Sequence, residues 1–224
     1  MRKISKKIWI SMLAVFIVFG GVCVWYVNDY YHCEQDALDV LRKPGTVQIT
    51  EIQEGYFLNG TGEENAMIFY PGAKVEAESY LPILYSLAEK GVDCFLVEMP
   101  CNLAILGMNK ADTILDRYEY EKWYMSGHSL GGAMAGNYAS EHLKELKGVI
   151  FFAAYATKSL EQEAFSVLSL YGSEDNILNM DKVKEGRSYV PDDYTEVSIQ
   201  GGNHAYFGNY GEQQGDGTAT LNKK

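Results

Sequence analysis

The stretch Gly127-His128-Ser129-Leu130-Gly131 places a serine between two glycines, directly after an apolar run that ends in Trp123-Tyr124-Met125. This G-x-S-x-G spacing is typical of a sharp turn from a strand into a helix, with the serine at the tip of the turn. The backbone of such a turn is strained, and glycine fits both flanking positions because a side chain would obstruct it. The pattern predicts that Ser129 is an exposed nucleophile, whose partners must come from elsewhere in the chain.

A serine hydroxyl needs a base within hydrogen-bond reach and a third group that orients the base. The chain has four histidines. Three are excluded by position: one lies beside the apolar N-terminal segment, one near the end of the helix after the serine, and one is directed elsewhere by the turn (His32, His142 and His128). His204 is therefore the predicted base, because it follows a predicted strand over 194–199 and can reach the serine from a loop at the carboxyl edge of the sheet.

The orienting acid is expected in the turn after the preceding strand, predicted over 167–171. Glu174 and Asp175 both lie there, after Gly172-Ser173. Acidic residues in such turns are often only solvated caps, but this turn is where an orienting acid is needed. The placement favours Asp175, with Glu174 as the alternative.

Acyl transfer at a serine also requires two backbone N–H groups that bind the developing oxyanion. The residue after the nucleophile normally gives one, and a loop after an earlier strand gives the other. The sequence predicts that Leu130 supplies the first and Ala73 the second. Gly72 allows the loop Pro71-Gly72-Ala73 to bend toward the serine, although the same residues also suit a simple strand-to-helix turn.

The remaining chain alternates apolar runs with helical patterns, which predicts a mostly parallel twisted sheet with helices on both faces. Only 155–165 separates two of the strands, so we expect no cap domain and an open site. Strands are predicted over 47–53, 67–70, 92–97, 124–125, 148–153, 167–171 and 194–199, and helices over 33–42, 76–90, 111–120, 130–143 and 180–186.

The N-terminus predicts one transmembrane helix. Residues 1–7 carry four basic residues and no acid, and 8–27 is a largely apolar run without a charge, long enough to span a bilayer. Aromatic residues near both ends (Trp9, Trp25 and Tyr26) suit the two interfaces, and the basic cluster is expected to stay in the cytoplasm. We expect a cytoplasmic segment 1–7, an anchor 8–27, a spacer 28–45 and an extracytoplasmic domain 46–224.

The N-terminal segment fits two other interpretations less well. A cleaved signal peptide is less favoured because its apolar region is usually shorter and no A-x-A-like site follows. Lipid attachment at Cys23 is disfavoured because Gly20-Gly21-Val22 fits the usual processing box poorly.

Composition excludes some partners. Beyond residue 7 the chain has 15 Lys and Arg against 30 Asp and Glu, a formal charge of −15, so nucleic acid is not an expected partner. The four cysteines show no C-x-x-C spacing, so neither a metal site nor a disulfide framework is supported. A bond between Cys94 and Cys101 is possible outside the cell, but Cys94 fits better as a small buried apolar residue.

Several segments together resemble the small, lidless, often membrane-anchored α/β-hydrolases of bacteria, which are related to dienelactone-hydrolase-like enzymes. The resemblance covers nearly everything after residue 45. It rests on Phe69-Tyr70-Pro71-Gly72-Ala73, Met99-Pro100 with Asn102-Leu103-Ala104, 127–135, Tyr171-Gly172-Ser173-Glu174-Asp175, Gly201-Gly202-Asn203-His204-Ala205-Tyr206-Phe207-Gly208 and Gly215-Asp216-Gly217.

The resemblance implies the α/β-hydrolase fold and serine hydrolysis, with Ser129, Asp175 and His204 in the chain order of that family. It implies no substrate. We expect a carboxylesterase that needs no cofactor or metal and acts on a small-molecule or lipid-like ester. An acyltransferase using the same residues, and an interaction module that has lost catalysis, are the alternatives.

Overall fold

The computed structural model describes residues 6–43 and 45–221, so most of the predicted basic segment 1–7 lies outside the described residues. The chain divides into two compact units, one up to Tyr30 and one from Tyr31 onward. The first unit contains helix α1, Lys6–Asn28, which is long and apolar enough to cross a membrane. Its 23 residues rise about 34 Å, and none of its side chains is buried. A signal sequence near the N-terminus also meets these criteria, so length and composition make α1 either a membrane anchor or a signal sequence.

The second unit is built on one eight-stranded sheet with the order β1-β2-β4-β3-β5-β6-β7-β8. All neighbouring strands are parallel except β1 with β2 and β2 with β4. The strands are β1 Gln48–Ile52, β2 Gly55–Asn59, β3 Asn65–Tyr70, β4 Asp93–Val97, β5 Lys122–His128, β6 Gly148–Phe152, β7 Ser166–Gly172 and β8 Tyr194–Ile199. The predicted mostly parallel sheet is confirmed.

Helices cover both faces of this sheet, as predicted. Alternate residues of a strand point to opposite faces, and in β3 the side chain of Ile68 packs in one apolar cluster while those of Met67 and Phe69 pack in the other. One cluster contains residues of α4 and α5, and the other contains residues of α3. The helices of this unit are α2 Gln35–Asp39, α3 Leu81–Ala88, α4 Ala111–Arg117, α5 Leu130–Glu141 and α6 Met180–Gly186.

The structure differs from the sequence prediction at β2, which the sequence did not predict. Its turn from β1 consists of Gln53 and Glu54, which lack the Asn-Gly or Asp-Gly pattern of tight hairpins. A tertiary contact supports this turn instead. The Glu54 carboxylate is 4% exposed and accepts two hydrogen bonds from Arg117, at 3.1 and 3.2 Å.

The segment predicted as a spacer packs on the second unit from Tyr31 onward. The Tyr31 N–H donates to the carbonyl of Lys74 at 2.7 Å, and Ala37 of α2 is completely buried. Cys94 and Cys101 are both free, so the bond considered between them is not formed. Cys94 is fully buried on β4, and burial raises the pKa of its thiol.

Candidate active site

Ser129 stands at the sharp turn between β5 and α5. Its φ of 53° and ψ of −123° lie in a region that residues with a side chain rarely adopt. The turn is held by the Ser129 N–H, which donates to the carbonyl of Phe152 on β6 at 2.9 Å. The strand–turn–helix geometry that the glycine spacing predicts is therefore present.

The flanking glycines are required by close backbone contacts. A Cβ on Gly127 would lie 2.7 Å from backbone atoms of the following helix and of β3, and a Cβ on Gly131 would lie 2.2 Å from the carbonyl oxygens of Tyr70 and Pro71. The loop after β3 therefore rests directly on the first turn of α5.

The structure brings Asp175 and His204 together from two different loops. Asp175 follows β7, His204 follows β8, and His204 Nδ1 lies 2.8 Å from Asp175 Oδ2. The other carboxylate oxygen of Asp175 accepts the N–H groups of Ile177 and Leu178 at 2.9 and 2.8 Å. This carboxylate is thus fixed on both sides. Glu174, the alternative acid, is exposed and accepts a hydrogen bond from the Ser173 hydroxyl.

The side chains of His204 and Asp175 are only 1% and 2% exposed, whereas Ser129 is partly exposed. The side chains of the predicted acid and base are therefore shielded from water, and the serine is not. The turn Ala205–Phe207 follows His204, and the buried rings of Phe207 and Tyr210 have their centroids 5.8 and 6.4 Å from that of His128.

The structure does not join Ser129 to His204. Among the described residues, His204 Nε2 is buried and has no hydrogen-bond partner. The residue before Ser129 does reach His204, because the ring centroids of His128 and His204 lie 4.5 Å apart. Catalytic hydrogen bonds in ligand-free sites are often long and tighten only when substrate binds.

Sequence reasoning missed the contribution of His128, which it expected to point away. His128 and Tyr80 are both buried, and the Tyr80 hydroxyl lies 2.8 Å from His128 Nδ1. The same hydroxyl accepts the N–H of Gly72 at 3.1 Å. Its own hydrogen is then donated to His128 Nδ1, which assigns the ring hydrogen of His128 to Nε2. The pairing of residues 48 positions apart has no sequence signature.

This environment keeps His128 neutral. Burial holds the pKa of His128 well below its usual range, and the charge that His204 can carry lowers it further. The backbone of His204 has the opposite and smaller effect on this pKa. A neutral ring matters here because a charged His128 would repel an imidazolium on His204.

Ala73 and Leu130, predicted to bind an oxyanion, are both partly exposed. Leu130 is the first residue of α5, where N–H groups lack partners within the helix. Among the described residues the Ala73 N–H has no acceptor. The next residue, Lys74, donates its N–H to the carbonyl of Asn102 at 2.8 Å, which ties this loop to the loop after β4.

No group of three or more His, Cys, Asp or Glu side chains within residues 6–43 and 45–221 is arranged to hold a metal ion.

A parallel sheet with a serine at the turn after β5, and an acid and a histidine on the loops after β7 and β8, has the architecture of the α/β-hydrolases. Residues 66–224 match the model of the alpha/beta hydrolase family, and the chain belongs to that family. Membership places it among the hydrolases. No curated protein matches the sequence significantly.

Solved structures with the same fold include a predicted CIB-like hydrolase from Thermoplasma acidophilum, with 13% identity and a TM-score of 0.57 over 72% of this chain and 91% of that one. Est1E from Butyrivibrio proteoclasticus is 14% identical, with a TM-score of 0.56 over 72% and 91%. MGS-MChE2, an alpha/beta hydrolase from a lagoon sediment metagenome, is 14% identical, with a TM-score of 0.56 over 70% and 90%. These likenesses concern the fold.

Proposed function

We propose that this chain is a membrane-anchored, extracytoplasmic serine hydrolase that acts as a carboxylesterase. The observation that carries the proposal is the 2.8 Å contact between His204 Nδ1 and Asp175 Oδ2, in a site where Ser129 has the strained backbone of a nucleophile. Asp175 holds the ring hydrogen of His204 on Nδ1, so Nε2 is left as the proton acceptor.

In the first half of the reaction, Ser129 Oγ attacks the ester carbonyl carbon and its proton passes to His204 Nε2. The carbonyl oxygen becomes an oxyanion, which the N–H groups of Ala73 and Leu130 bind. When this intermediate collapses, the bond to the alcohol breaks and the alcohol leaves with the proton from His204. An acyl group remains on Ser129.

In the second half, water attacks the acyl carbon and gives a proton to His204. The second oxyanion binds the same two N–H groups, and its collapse breaks the bond to Ser129 Oγ, which regains the proton. The carboxylic acid is released. Apart from the ester and the water, every group that these steps use belongs to the chain.

The apolar part of the substrate has a candidate surface on the loop after β4. Ile105 and Leu106 are 61% and 57% exposed on this loop, and its Asn102 carbonyl holds the residue after Ala73. β4 is parallel to β3, so this loop leaves the same edge of the sheet as the oxyanion loop. These features support a small-molecule or lipid-like ester as substrate.

Membrane anchoring is supported by the length and composition of α1 together with the basic residues that precede its apolar run (Arg2, Lys3, Lys6 and Lys7). Basic residues favour the cytoplasmic side of a bilayer, which directs the remainder of the chain outward.

The test of the chemistry uses the full chain in detergent, a fluorophosphonate probe and short p-nitrophenyl esters. Wild type should be labelled and turn over ester, and Ser129→Ala should do neither. Ser188→Ala should match wild type, because Ser188 is exposed and its hydroxyl donates only to the carbonyl of Glu185 among the described residues. If wild type is not labelled, the proposal of a serine hydrolase is wrong, and the chain is better described as an interaction module that has lost catalysis. Labelling without release of free acid, but with transfer to an added alcohol, indicates the acyltransferase.

The location is tested separately on intact cells that express the full chain. External protease should digest the hydrolase unit, and the mass of the isolated protein should include residues 1–30. Protection of the unit in spheroplasts would contradict the outward orientation, and loss of the N-terminal residues would identify α1 as a cleaved signal.

A further inference from the structure

The polar tail after Tyr210 returns to the two loops that carry the acid and the histidine. Asp216 lies in this tail, and its carboxylate contacts both loops. Oδ2 accepts the N–H of Ala205, the residue after His204, at 2.9 Å. Oδ1 accepts the N–H of Asn176, the residue after Asp175, at 3.3 Å. One side chain thus joins the backbone beside each member of the pair.

The tail is seated on these loops by further contacts. The Asn203 side chain donates to the carbonyl of Gly217 at 2.7 Å. A Cβ on Gly217 would lie 1.8 Å from the carbonyl oxygen of Glu174, so the tail backbone rests directly on the acid loop. Past Gly217, the N–H groups of Thr220 and Leu221 both donate to the carbonyl of Gly201, at 2.8 and 3.1 Å. The carboxylate of Asp216 is therefore held in place by the backbone around it.

The contact between His204 and Asp175 depends on the relative position of two separate loops. β7 ends at Gly172 and β8 at Ile199, so two residues lie between the end of β7 and Asp175, and four lie between the end of β8 and His204. Hydrogen bonds from backbone N–H groups to a carboxylate are stronger than those between neutral groups. Asp216 makes one such bond to each loop, and a third to the N–H of Gly217 at 2.8 Å.

We propose that Asp216 is a positioning residue, which holds the acid loop and the histidine loop in register. It touches no reacting atom and acts through Asp175 and His204. The inference rests on the proposed serine hydrolase, and it gives the C-terminal tail a function in the site.

The experiment compares Asp216→Asn with Glu212→Gln in the full chain in detergent. Both changes replace a carboxylate by its amide in the same tail, but Glu212 is exposed. The Asn amide must either turn its NH₂ group toward a backbone N–H or give up one of the two loops. Displacement of catalytic groups by about 1 Å can cost about 100-fold in rate, so we expect kcat per labelled site to fall about 10- to 100-fold in Asp216→Asn. We expect KM to stay within about threefold of wild type, and Glu212→Gln to match wild type.

Counting active sites by the end point of fluorophosphonate labelling separates positioning from folding. A role in folding alone lowers the number of labelled sites and leaves the turnover per labelled site unchanged. The ring N–H proton of His204, observed by NMR on histidine-labelled protein, reports the bond to Asp175 directly. It should be sharp in wild type and Glu212→Gln, and weakened or absent in Asp216→Asn.

Equal turnover per labelled site and equal ring-proton signals in the two variants would overturn the proposal. If wild type itself is not labelled, the proposed function fails, and the ring-proton comparison still decides whether Asp216 positions the pair. If Asp216→Asn does not fold, Asp216→Ser, which keeps one acceptor oxygen without an opposing NH₂, takes its place in both measurements.

Discussion

The hydroxyl of Tyr80 lies 2.8 Å from Nδ1 of His128 and is completely buried with it. Because that hydroxyl also accepts the N–H of Gly72, one phenol connects the loop proposed to bind the oxyanion with the residue before the nucleophile. Burial raises the pKa of the Tyr80 hydroxyl, so it keeps its hydrogen and donates to the imidazole.

Replacing Tyr80 by Phe should destabilise the hydrolase unit and slow the reaction. The ring keeps its place against Phe69, 4.9 Å away, but the Gly72 N–H and His128 Nδ1 both lose their partner. Each unsatisfied buried group costs about 1–3 kcal/mol, so we expect the free energy of unfolding to fall by about 2–4 kcal/mol. Denaturant titration of the full chain measures the loss.

Tyr85→Phe is the matched control, since the Tyr85 hydroxyl is buried and finds no hydrogen-bond partner in the part of the chain that the structure describes. Its removal should leave stability unchanged or slightly raised. If Tyr80→Phe and Tyr85→Phe lower the free energy of unfolding equally, the two hydrogen bonds of the Tyr80 hydroxyl do not stabilise the fold.

His128 should make the stability of the unit depend on pH. Its pKa is lowered in the folded protein, so the unfolded chain binds more protons than the folded one once the pH falls below about 6.5. The free energy of unfolding should then decrease with falling pH, by up to about 1.4 kcal/mol per pH unit, until the folded pKa is reached. Above about pH 7, His128 should no longer make the free energy of unfolding depend on pH.

The check is the difference between wild type and His128→Asn, whose amide oxygen can accept the bond from Tyr80. Any stability advantage of wild type over this variant should be greatest near pH 7.5 and shrink toward pH 5. The titratable groups whose rings lie near that of His128 are His204, Tyr80 and Tyr210, and all three remain in the variant. A constant difference across this range would show that His128 does not titrate differently on folding.

Gly131→Ala should strain the contact between the first turn of α5 and the loop after β3. The added Cβ would lie 2.2 Å from the carbonyl oxygens of Tyr70 and Pro71, which are backbone atoms and cannot rotate away. Overpacking of this kind costs about 1–3 kcal/mol, and we expect a loss at the upper end of that range. Gly202→Ala is the control, because its nearest neighbours would be 3.4 Å away. Thermal unfolding measures the loss of stability in each variant. Equal losses in Gly131→Ala and Gly202→Ala would contradict the predicted clash.

Most of the fold could be predicted from the sequence because its strands are short apolar runs separated by helical patterns. β3, β4 and β5 are largely buried, and their hydrophobic residues alone indicate them. β2 escaped prediction because its turn is stabilised by Arg117, 63 residues away from Glu54, and local patterns carry no record of such a contact.

The three main residues of the candidate site could also be predicted from the sequence. The order of Ser129, Asp175 and His204 and their positions after strand ends were enough to name them, since parallel strands bring their carboxyl ends to one edge. The supporting residues were not predictable. Tyr80 and Asp216 contact backbone or ring atoms that lie far away in the sequence, and neither follows directly on a strand end. The segment Gly215-Asp216-Gly217 carries part of the family resemblance, but that resemblance does not say what Asp216 contacts.

Asp175→Asn should abolish most of the activity while Glu174→Gln leaves it within about twofold of wild type. The Asn oxygen still accepts the N–H groups of Ile177 and Leu178, so its NH₂ group faces His204 Nδ1. The His204 ring must then carry its hydrogen on Nε2. That nitrogen can no longer accept the proton of Ser129. In serine proteases this wrong tautomer lowers kcat about 10⁴-fold, and we expect about 10³- to 10⁴-fold in ester hydrolysis here. Glu174 is exposed, and its carboxylate accepts a hydrogen bond from the Ser173 hydroxyl. A larger loss in Glu174→Gln than in Asp175→Asn would assign the orienting role to Glu174.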